Sequence, residues 1–406
     1  MHILFLHQNF PGQFVHVARA LQHSGAHDLR AVVPETNRRP RLIPTWTYRF
    51  DPRTANTSVP LADHPTQRIA RGLAVMEVLR ALKNDGFSPD AVIGHGGWGE
   101  TLFVRDVWPS TRVILYSEYY YRAQGGDVDF DPEFPIAELE LRGAQARARN
   151  IGMSQALFDA DVGVAPTMWQ ASTFPAYFQN KLSIIHEGVD TGLIRPDPKA
   201  QIIFNRDGTK LRAGDEVVTF VSRNLEPYRG YHVFMRALPE ILARRPSAHA
   251  VIVGGDGVSY GRAPPSGKTW KGIFLKEVQG NLDMKRVHFV GRIPHPDFVR
   301  LMQISAAHVY LTYPFVLSWS MLEAMSAEAL VIASRTPPVS EVLTDGVNGI
   351  LFDFFDVKAL VEAVADALTI GERHRKLRRN ARAFVQSKFD LSNECLKKWL
   401  ELIENI

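Results

Sequence analysis

Short apolar runs rich in β-branched residues alternate with segments of helical period along almost the whole chain. The first two runs are HILFLH (2–7) and LRAVVP (29–34), and the helix-period segment between them ends before Gly25. Apolar strands separated by helices in this way are typical of βαβ units in a parallel sheet. The runs AVIGHG, RVILYSE, VGVAP and KLSIIHEG continue the series. The first half therefore predicts one doubly wound α/β unit.

The pattern breaks near residue 195 and then resumes. RPDPKAQIIFNRDGTKLRAGD has no sustained period and predicts a linker with a small hairpin, whereas VVTFVSR (217–223) begins a second strand series. From about residue 357 we expect two helices, separated near Phe389. The predicted domains are 1–195, 196–385 and a terminal helical segment, 386–406. That last segment either closes the second domain or packs back on the first.

Composition narrows the class of protein. With 406 residues, 45% hydrophobic and 22% charged, the chain is too long for one ordinary domain and too apolar for a disordered protein. Its single cysteine, Cys395, allows no internal disulfide, and no apolar run reaches the ~20 residues that span a bilayer. The start MHILFLHQNF lacks a basic region typical of signal peptides. These features predict a cytoplasmic location.

Charge adds one candidate surface. The net charge is only +4, but the segment 38–50 interleaves basic and aromatic side chains. Such a segment can contact an anionic membrane surface or a polyanionic glycan, or it can be a solvated loop anchored by its aromatic rings. Nucleic acid is not an expected partner, since no nucleic-acid-binding motif accompanies the charge. The residues concerned are Arg38, Arg39, Arg41 and Arg49 with Trp46, Tyr48 and Phe50.

Candidate chemistry is concentrated after the strands of the second half, where open parallel sheets bind ligands. Arg223 ends one strand and Arg229 stands just before a helix start. Two guanidinium groups and the free N–H groups of a helix would suit a diphosphate, although a surface arginine pair is the alternative. A second helix begins near Ser318, with Glu323 about one turn in. That carboxylate could accept both hydroxyls of a ribose or simply interact with the helix dipole.

Taken in order, these segments resemble a known family. SRNLEPYRG, VIVGGDG, RVHFVGRIPHPDF and SWSMLEAMSAEALVIAS are similar to the nucleotide-sugar half of glycosyltransferase family 4, a retaining GT-B family. IIHEGVD (184–190) resembles the family's Asn-Gly-Val-Asp segment, with Glu187 where Asn is usual. The resemblance implies an α/β fold of two Rossmann-like, doubly wound parallel-sheet domains facing a cleft.

The resemblance assigns roles in the second half. Arg223 and Arg229 fall on the Arg and Lys that grip the donor diphosphate, and Glu323 falls on the second, ribose-binding acid of the family's E-x7-E motif. The first acid would lie at Phe315, or at Tyr313 if the loop is two residues longer, and neither is a carboxylate.

The start of the helix that carries Glu323 offers a further donor contact. We expect the backbone amides from Leu317 to Ser320, assisted by the hydroxyls of Ser318 and Ser320, to contact the donor phosphates.

The first half supplies the remaining candidates. In HQNFPGQF, Gly12 and Gln13 are expected beside the donor phosphates and transferred sugar, with a plain turn glycine as the alternative for Gly12. In GHGGWGE, the resemblance makes His95 a candidate for binding the reacting sugar or the acceptor, with a buried structural histidine as the alternative. The acceptor-side residues are expected to be Trp98, Glu118 and Tyr119, with Trp98 either a stacking surface for a sugar or simply a core residue.

The function implied is retaining transfer of a sugar from a nucleoside-diphosphate donor to a glycan or lipid-linked acceptor, in surface or exopolysaccharide biosynthesis. We expect neither a metal nor a further cofactor. DVDFD (127–131) imitates a metal-binding Asp-x-Asp motif, but it has no matching nucleotide-binding segment at the N-terminus. The alternatives are a sugar-nucleotide epimerase of the same fold and a non-catalytic sugar-nucleotide-binding protein.

Overall fold

The structure is a computed structural model that describes residues 1–135, 139–204, 208–369 and 371–405. It contains two compact units. Unit 1 runs from Met1 to Gly188 and takes in the chain end from Ser392, and unit 2 runs from Val189 to Leu391. The change of unit thus falls between Gly188 and Val189, whereas the sequence pattern predicts a boundary at 195.

Unit 1 is built on a seven-stranded parallel sheet in the order β3-β2-β1-β4-β5-β6-β7. Alternate residues of β1 enter different clusters, since Leu4 and Leu6 pack in one and Ile3 and Phe5 in the other. Both faces of the sheet are therefore covered, which explains the continuous apolar runs. The strands are β1 His2–Leu6, β2 Asp28–Pro34, β3 Thr45–Tyr48, β4 Ala91–His95, β5 Arg112–Tyr116, β6 Val162–Ala165 and β7 Leu182–Ile184.

The helices of unit 1 follow the strands as predicted. The first ends at Gly25, whose φ of 66° is the left-handed conformation of a helix cap. The helices are α1 Val15–Ser24, α2 Asp63–Asn84, α3 Val104–Val107, α4 Leu139–Asp159, α5 Met168–Ser172 and α6 Ala176–Gln179, with 3-10 turns at Gly12–Phe14, Pro52–Ala55 and Pro60–Ala62.

The basic and aromatic segment 38–50 is more than a loop. It contains β3, which pairs with β2 at the edge of the sheet and places Tyr48 in the core. Interpreting the whole segment as a loop is therefore wrong for its second half, because alternating threonine and aromatic residues favour a short edge strand. Arg38, Arg39 and Arg41 are exposed.

Unit 2 is built on a six-stranded parallel sheet in the order β12-β11-β10-β13-β14-β15. The predicted hairpin precedes it as two antiparallel strands, in which Gln201 pairs with Arg212; residues 205–207 of that predicted segment lie outside the described residues. The strands are β8 Gln201–Ile203, β9 Lys210–Arg212, β10 Val217–Asn224, β11 His249–Gly255, β12 Val287–Gly291, β13 Ala307–Tyr310, β14 Leu330–Ser334 and β15 Ile350–Phe352.

The helices from residue 357 onward number three in the described part of the chain, not the two predicted. Asp356 caps one helix and Gly371 stands at the N-cap of the next, so the segment predicted as one helix forms two helices.

The second half of the chain, from residue 227 to 405, contains the remaining helices. They are α7 Tyr231–Arg244, α8 Trp270–Val278, α9 His295–Ile304, α10 Trp319–Ser326, α11 Pro337–Ser340, α12 Val357–Ala367, α13 Glu372–Lys388 and α14 Leu396–Asn405, with 3-10 turns at Pro227–Arg229 and Gln279–Asn281 and a π-helical turn at Leu391–Cys395.

Across residues 1–135, 139–204, 208–369 and 371–405, every helix is too short or too polar to cross a bilayer.

Candidate active site

Three neighbouring strands of unit 1 end at one cluster of polar side chains. His7 follows β1, His95 ends β4 and Glu118 follows β5. The Nε2 of His7 lies 2.8 Å from Oε1 of Gln13, and Nε2 of Gln13 donates to Oε1 of Glu118 at 3.4 Å. Nε2 of His95 lies 3.6 Å from Oε2 of the same carboxylate. We call these four residues, His7, Gln13, Glu118 and His95, the polar chain.

Backbone contacts fix the tautomers of both histidines. The N–H of Asn9 donates to Nδ1 of His7 at 2.9 Å, and the N–H of Gly97 donates to Nδ1 of His95 at 3.1 Å. Each ring therefore carries its hydrogen on Nε2. Burial, with a smaller contribution from His95, lowers the pKa of His7 to about 3, so this ring is neutral near pH 7.

Trp98 packs directly on the polar chain. Its ring stacks on His95 with a centroid distance of 3.7 Å and an interplanar angle of 2°, and it meets His7 edge-on at 4.9 Å. The same cluster explains why residue 12 is a glycine, because a Cβ at Gly12 would lie 2.4 Å from the His7 ring. The turn at Gly12, with a φ of 47°, thus makes room for His7; its contact with a donor stays a prediction.

Tyr119 lies apart from the polar chain. Its side chain is buried and its hydroxyl donates to Oδ1 of Asp127 at 3.1 Å. Burial and the neighbouring carboxylate raise the pKa of this phenol. The expected acceptor role of Tyr119 stays a prediction.

The expectation that the reaction needs no metal also stays a prediction. In the part of the chain that the structure describes, Asp127 belongs to no group of three or more side chains that could hold a metal.

In unit 2, Arg229 is buried and fastened to the loop after β13. Its Nη1 donates to Oγ1 of Thr312 at 2.7 Å and to the carbonyl of Val316 at 3.1 Å. The hydroxyl of Tyr310 lies 3.4 Å from the same nitrogen and accepts from the N–H of Ser318 at 2.8 Å. Arg229 is thus tied to the residues that begin α10.

Arg223 and Arg229 meet at one aromatic ring. The guanidinium carbons lie 5.9 and 5.3 Å from the centroid of Tyr260, which is within cation–π range. The buried carboxylate of Glu226 holds the loop of that tyrosine by accepting the N–H groups of its neighbours Ser259 and Gly261, at 3.1 and 3.0 Å. The structure therefore brings together the two arginines that the sequence predicts at the diphosphate site.

Sequence reasoning misses Glu226 and Tyr260. The position of Glu226 between the two arginines was the available signal. Nothing local marks Tyr260, because its ring reaches the arginines only through the loop that Glu226 orders.

The start of α10 is capped internally. Ser318 is the N-cap residue, and its Oγ accepts from the N–H of Ser320 at 3.4 Å and lies 3.0 Å from that residue's Oγ. Leu317 is buried. At Phe315, one of the two positions expected for the missing first acid, the ring packs against Tyr260 at 5.0 Å. Phosphate contacts by these residues stay a prediction.

Glu323 has a partner that the sequence does not announce. Its Oε1 lies 2.8 Å from Nε2 of His295, which begins α9. The hydrogen bond to this carboxylate raises the pKa of His295 above its usual value of 6.5. Ribose binding by Glu323 stays a prediction.

Two Rossmann-like parallel sheets, each with charged side chains beyond its strand ends, define the GT-B class, and this predicted fold class is confirmed. The model described as "Glycosyl transferase family 4 group" matches residues 25–194, and the model "Glycosyl transferases group 1" matches residues 202–384. The chain belongs to glycosyltransferase family 4.

Individual relatives are distant. A D-inositol 3-phosphate glycosyltransferase of Segniliparus rotundus is 26% identical over 71% of this chain and 62% of its own. A GDP-mannose-dependent alpha-(1-6)-phosphatidylinositol monomannoside mannosyltransferase of Mycolicibacterium smegmatis is 28% identical over 52% and 53%. The chain thus matches about half to six tenths of the length of these relatives. The Anabaena protein HepE, solved with UDP, shares the fold over 100% of both chains, with a TM-score of 0.68 and 17% identity.

Proposed function

We propose that the chain transfers a sugar from a nucleoside-diphosphate donor to a glycan or lipid-linked acceptor, with retention of anomeric configuration and without a metal. The observation that carries the proposal is the meeting of Arg223 and Arg229 at the Tyr260 ring, with Arg229 tied to the start of α10. In this proposal unit 2 binds the donor and unit 1 binds the acceptor.

Departure of the nucleoside diphosphate leaves negative charge on its phosphate oxygens and oxocarbenium character on the sugar. Preorganised guanidinium and amide donors stabilise that charge more in the transition state than in the ground state. Because Arg229 is already held by Thr312 and Val316, little reorganisation is needed when the charge develops. The leaving oxygen accepts the proton of the acceptor hydroxyl on the same face of the sugar, so the route needs no protein nucleophile.

The polar chain of unit 1 supports sugar binding. In the described part of the chain, the buried Nε2–H of His95 has no hydrogen-bond partner, since the 3.6 Å to Glu118 exceeds hydrogen-bond distance. A sugar hydroxyl beside these two groups would accept from the ring and donate to the carboxylate. We assign the polar chain to a hydroxyl of the acceptor.

The relatives suggest which nucleotides to test as the donor. HepE was solved with UDP, and the mycobacterial relative is described as GDP-mannose-dependent, so both nucleotides belong in a donor panel. The exposed arginines at 38, 39 and 41 are suited to contact with an anionic membrane or polyanionic glycan. A role in surface or exopolysaccharide biosynthesis accords with such an acceptor.

The experiment is kinetic. Loss of a charged contact lowers kcat/KM by about ten-fold or more in Arg229→Ala and in Arg223→Ala, measured with the donor that a thermal-shift panel selects. Lys276→Ala, an exposed residue on α8, serves as the control that keeps wild-type rates. Wild-type kinetics in both arginine variants would remove the diphosphate assignment, and an epimer formed without any acceptor would indicate epimerase chemistry instead.

A further inference from the structure

Unit 1 holds a group of basic side chains beside the polar chain, namely Arg68, Arg71 and Arg149. Arg68 of α2 donates from Nε to the carbonyl of Gly97 at 2.8 Å and from Nη1 to the carbonyl of His64 at 3.1 Å. Gly97 lies between His95 and Trp98, so Arg68 is fastened to the loop that carries both rings. The guanidinium is only partly exposed.

Glycines make the space for this arginine. A Cβ at Gly152 of α4 would lie 2.6 Å from Cδ of Arg68, and one at Gly99 would lie 2.3 Å from its carbonyl oxygen. The helix and the loop therefore pack around Arg68 at a distance that a larger residue would prevent.

Arg149 lies one turn before Gly152 on α4, the helix that packs against Arg68. Its guanidinium carbon lies 5.1 Å from the centroid of Tyr121. Asn150 fixes that tyrosine to α4, because its side chain accepts from the N–H of Tyr121 at 2.9 Å and donates to its carbonyl at 2.8 Å. The backbone of Tyr121, whose ring Arg149 approaches, is thus held to α4 by the buried Asn150.

The positive charge here is only partly balanced by the described part of the protein. Arg71 has Glu100 at 3.5 Å, but within the described ranges no carboxylate pairs with Arg68 or Arg149. Burial lowers the pKa of Arg68 and repulsion by Arg71 and Arg149 lowers it further, whereas Tyr121 and Glu100 raise it. Burial also lowers the pKa of His64, with both Arg68 and Arg149 adding to the effect. Unpaired, partly buried like charges are costly, and an anion would relieve them.

We propose that Arg68 and Arg149 bind a phosphate group carried by the acceptor. The inference rests on the proposed function and names the substrate class of unit 1: a phosphorylated acceptor whose sugar hydroxyl lies at the polar chain. A guanidinium fork matches phosphate oxygens in geometry and charge. Because Arg68 is hydrogen-bonded to the loop of His95 and Trp98, a phosphate held there also orients the acceptor relative to those rings. The phosphate belongs either to a soluble glycan phosphate or to a lipid head group.

The test measures binding of glycerol 1-phosphate to the full chain by calorimetry at low ionic strength. The parent protein carries Arg223→Ala and Arg229→Ala, so that the diphosphate site of unit 2 does not contribute. Adding Arg149→Gln or Arg68→Gln weakens binding about ten-fold. Arg68→Lys keeps the charge but loses the fork and both carbonyl contacts, so its affinity should fall between those of the parent and Arg68→Gln. Arg80→Gln and Arg147→Gln, exposed positions on the same two helices, bind as the parent does.

Two results would overturn the proposal: no saturable binding to the parent, or Arg149→Gln binding as tightly as the parent. Arg149→Gln and Arg68→Lys keep the test valid if Arg68→Gln fails to fold. Co-sedimentation with phosphatidylcholine vesicles, with and without phosphatidylglycerol, identifies the source of the phosphate. Binding that needs phosphatidylglycerol and falls in Arg149→Gln indicates a lipid head group, and glycerol 1-phosphate binding alone indicates a soluble acceptor. Donor binding to the unsubstituted chain tests the proposed function separately.

Discussion

His295 determines how Glu323 is held before any donor binds. The pair lies at 2.8 Å, with His295 about half exposed and the carboxylate 13% exposed. A second acid nearby, Asp297, pairs with Arg300 at 3.4 Å, and the ring of Phe298 packs on His295 with centroids 5.9 Å apart. Protonation of His295 therefore acts mainly on Glu323, the residue expected to accept the ribose hydroxyls.

Donor affinity should consequently depend on pH. The hydrogen bond raises the pKa of His295, so the stabilisation it gives is complete below the usual 6.5 and is lost as pH rises through the higher folded value. The ribose hydroxyls of the donor should then compete for Glu323 with a neutral His295, which binds the carboxylate more weakly than a protonated one. Donor affinity should rise by up to about five-fold from pH 6 to pH 8.5, as expected for a half-exposed pair. Calorimetry with an intact nucleotide sugar measures it.

His295→Gln is the matched variant for that pH profile. Its amide can donate to Glu323 but does not titrate, so donor affinity should be constant over the same range. Glu323→Gln should weaken donor binding at every pH. A pH profile in His295→Gln as steep as in the wild type would exclude His295 as its source.

At the level of single residues, the sequence indicates candidate site positions, but it does not indicate which side chains contact each other. Arg223 is a candidate because parallel sheets bind ligands beyond their strand ends, whereas His95 is a candidate through the family resemblance and Glu118 through its place in an expected acceptor-side loop. The pairings of His7 with Gln13 and of His295 with Glu323 depend on loop conformation. No spacing rule gives those distances.

At the scale of one element, the C-terminus of α10 contains a strained residue. Glu328 has a φ of 60°, and the N–H of the next residue, Ala329, donates to the carbonyl of Ala324 at 3.0 Å. This is the Schellman arrangement in which glycine is preferred, since a Cβ costs about 1–2 kcal/mol in the left-handed region. The glutamate also raises the pKa of Arg378 and Arg382 against the larger lowering effect of burial.

Glu328→Gly should stabilise unit 2 relative to Glu328→Ala by about 1 kcal/mol. Both variants lose the carboxylate, so their difference isolates the backbone, and for a unit of this size it amounts to about 2–4 °C in Tm. Differential scanning calorimetry measures it, with Glu328→Gln as the control for charge alone. Equal Tm values for the glycine and alanine variants would show that the turn is not strained.

Elements with strong periodicity were predictable and elements with weak signals were not. The long apolar strands and the α1 cap at Gly25 follow from pattern and glycine chemistry. The edge strand β3 is short and lies among prolines and arginines, and the break before α13 depends on Gly371 within an otherwise helical run. Such features are decided by tertiary contacts more than by local propensity.

At the scale of the whole molecule, the chain leaves unit 1 at Gly188 and returns to it at Ser392. The sequence left two placements open for the last helix, because amphipathicity shows that a face is covered but not by which unit. In the structure, Trp399 and Ile403 of α14 lie in one cluster with Phe14 and Val17, and the rings of Trp399 and Phe14 meet edge-on at 6.3 Å.

This packing predicts that unit 1 depends on the chain end. Trp399 is 2% exposed, so Trp399→Ala should destabilise unit 1 by about 3–5 kcal/mol through lost burial and a residual cavity. That is a large part of the ~5–15 kcal/mol typical of a folded domain. Urea unfolding followed by fluorescence and by limited proteolysis measures the change in unit 1.

Lys397→Ala is the matched control, because it lies on the exposed side of the same helix and should change stability by less than about 0.5 kcal/mol. The ring of Trp399 contacts Phe14, which ends the 3-10 turn that carries Gly12 and Gln13. Trp399→Ala should therefore also disturb the hydrogen bonds that Gln13 makes in the polar chain. Unchanged unfolding of unit 1 in Trp399→Ala would mean that α14 lies on the surface without supporting the core. Loss of stability with normal donor binding would instead confine the effect to unit 1, as expected if the two units bind different substrates.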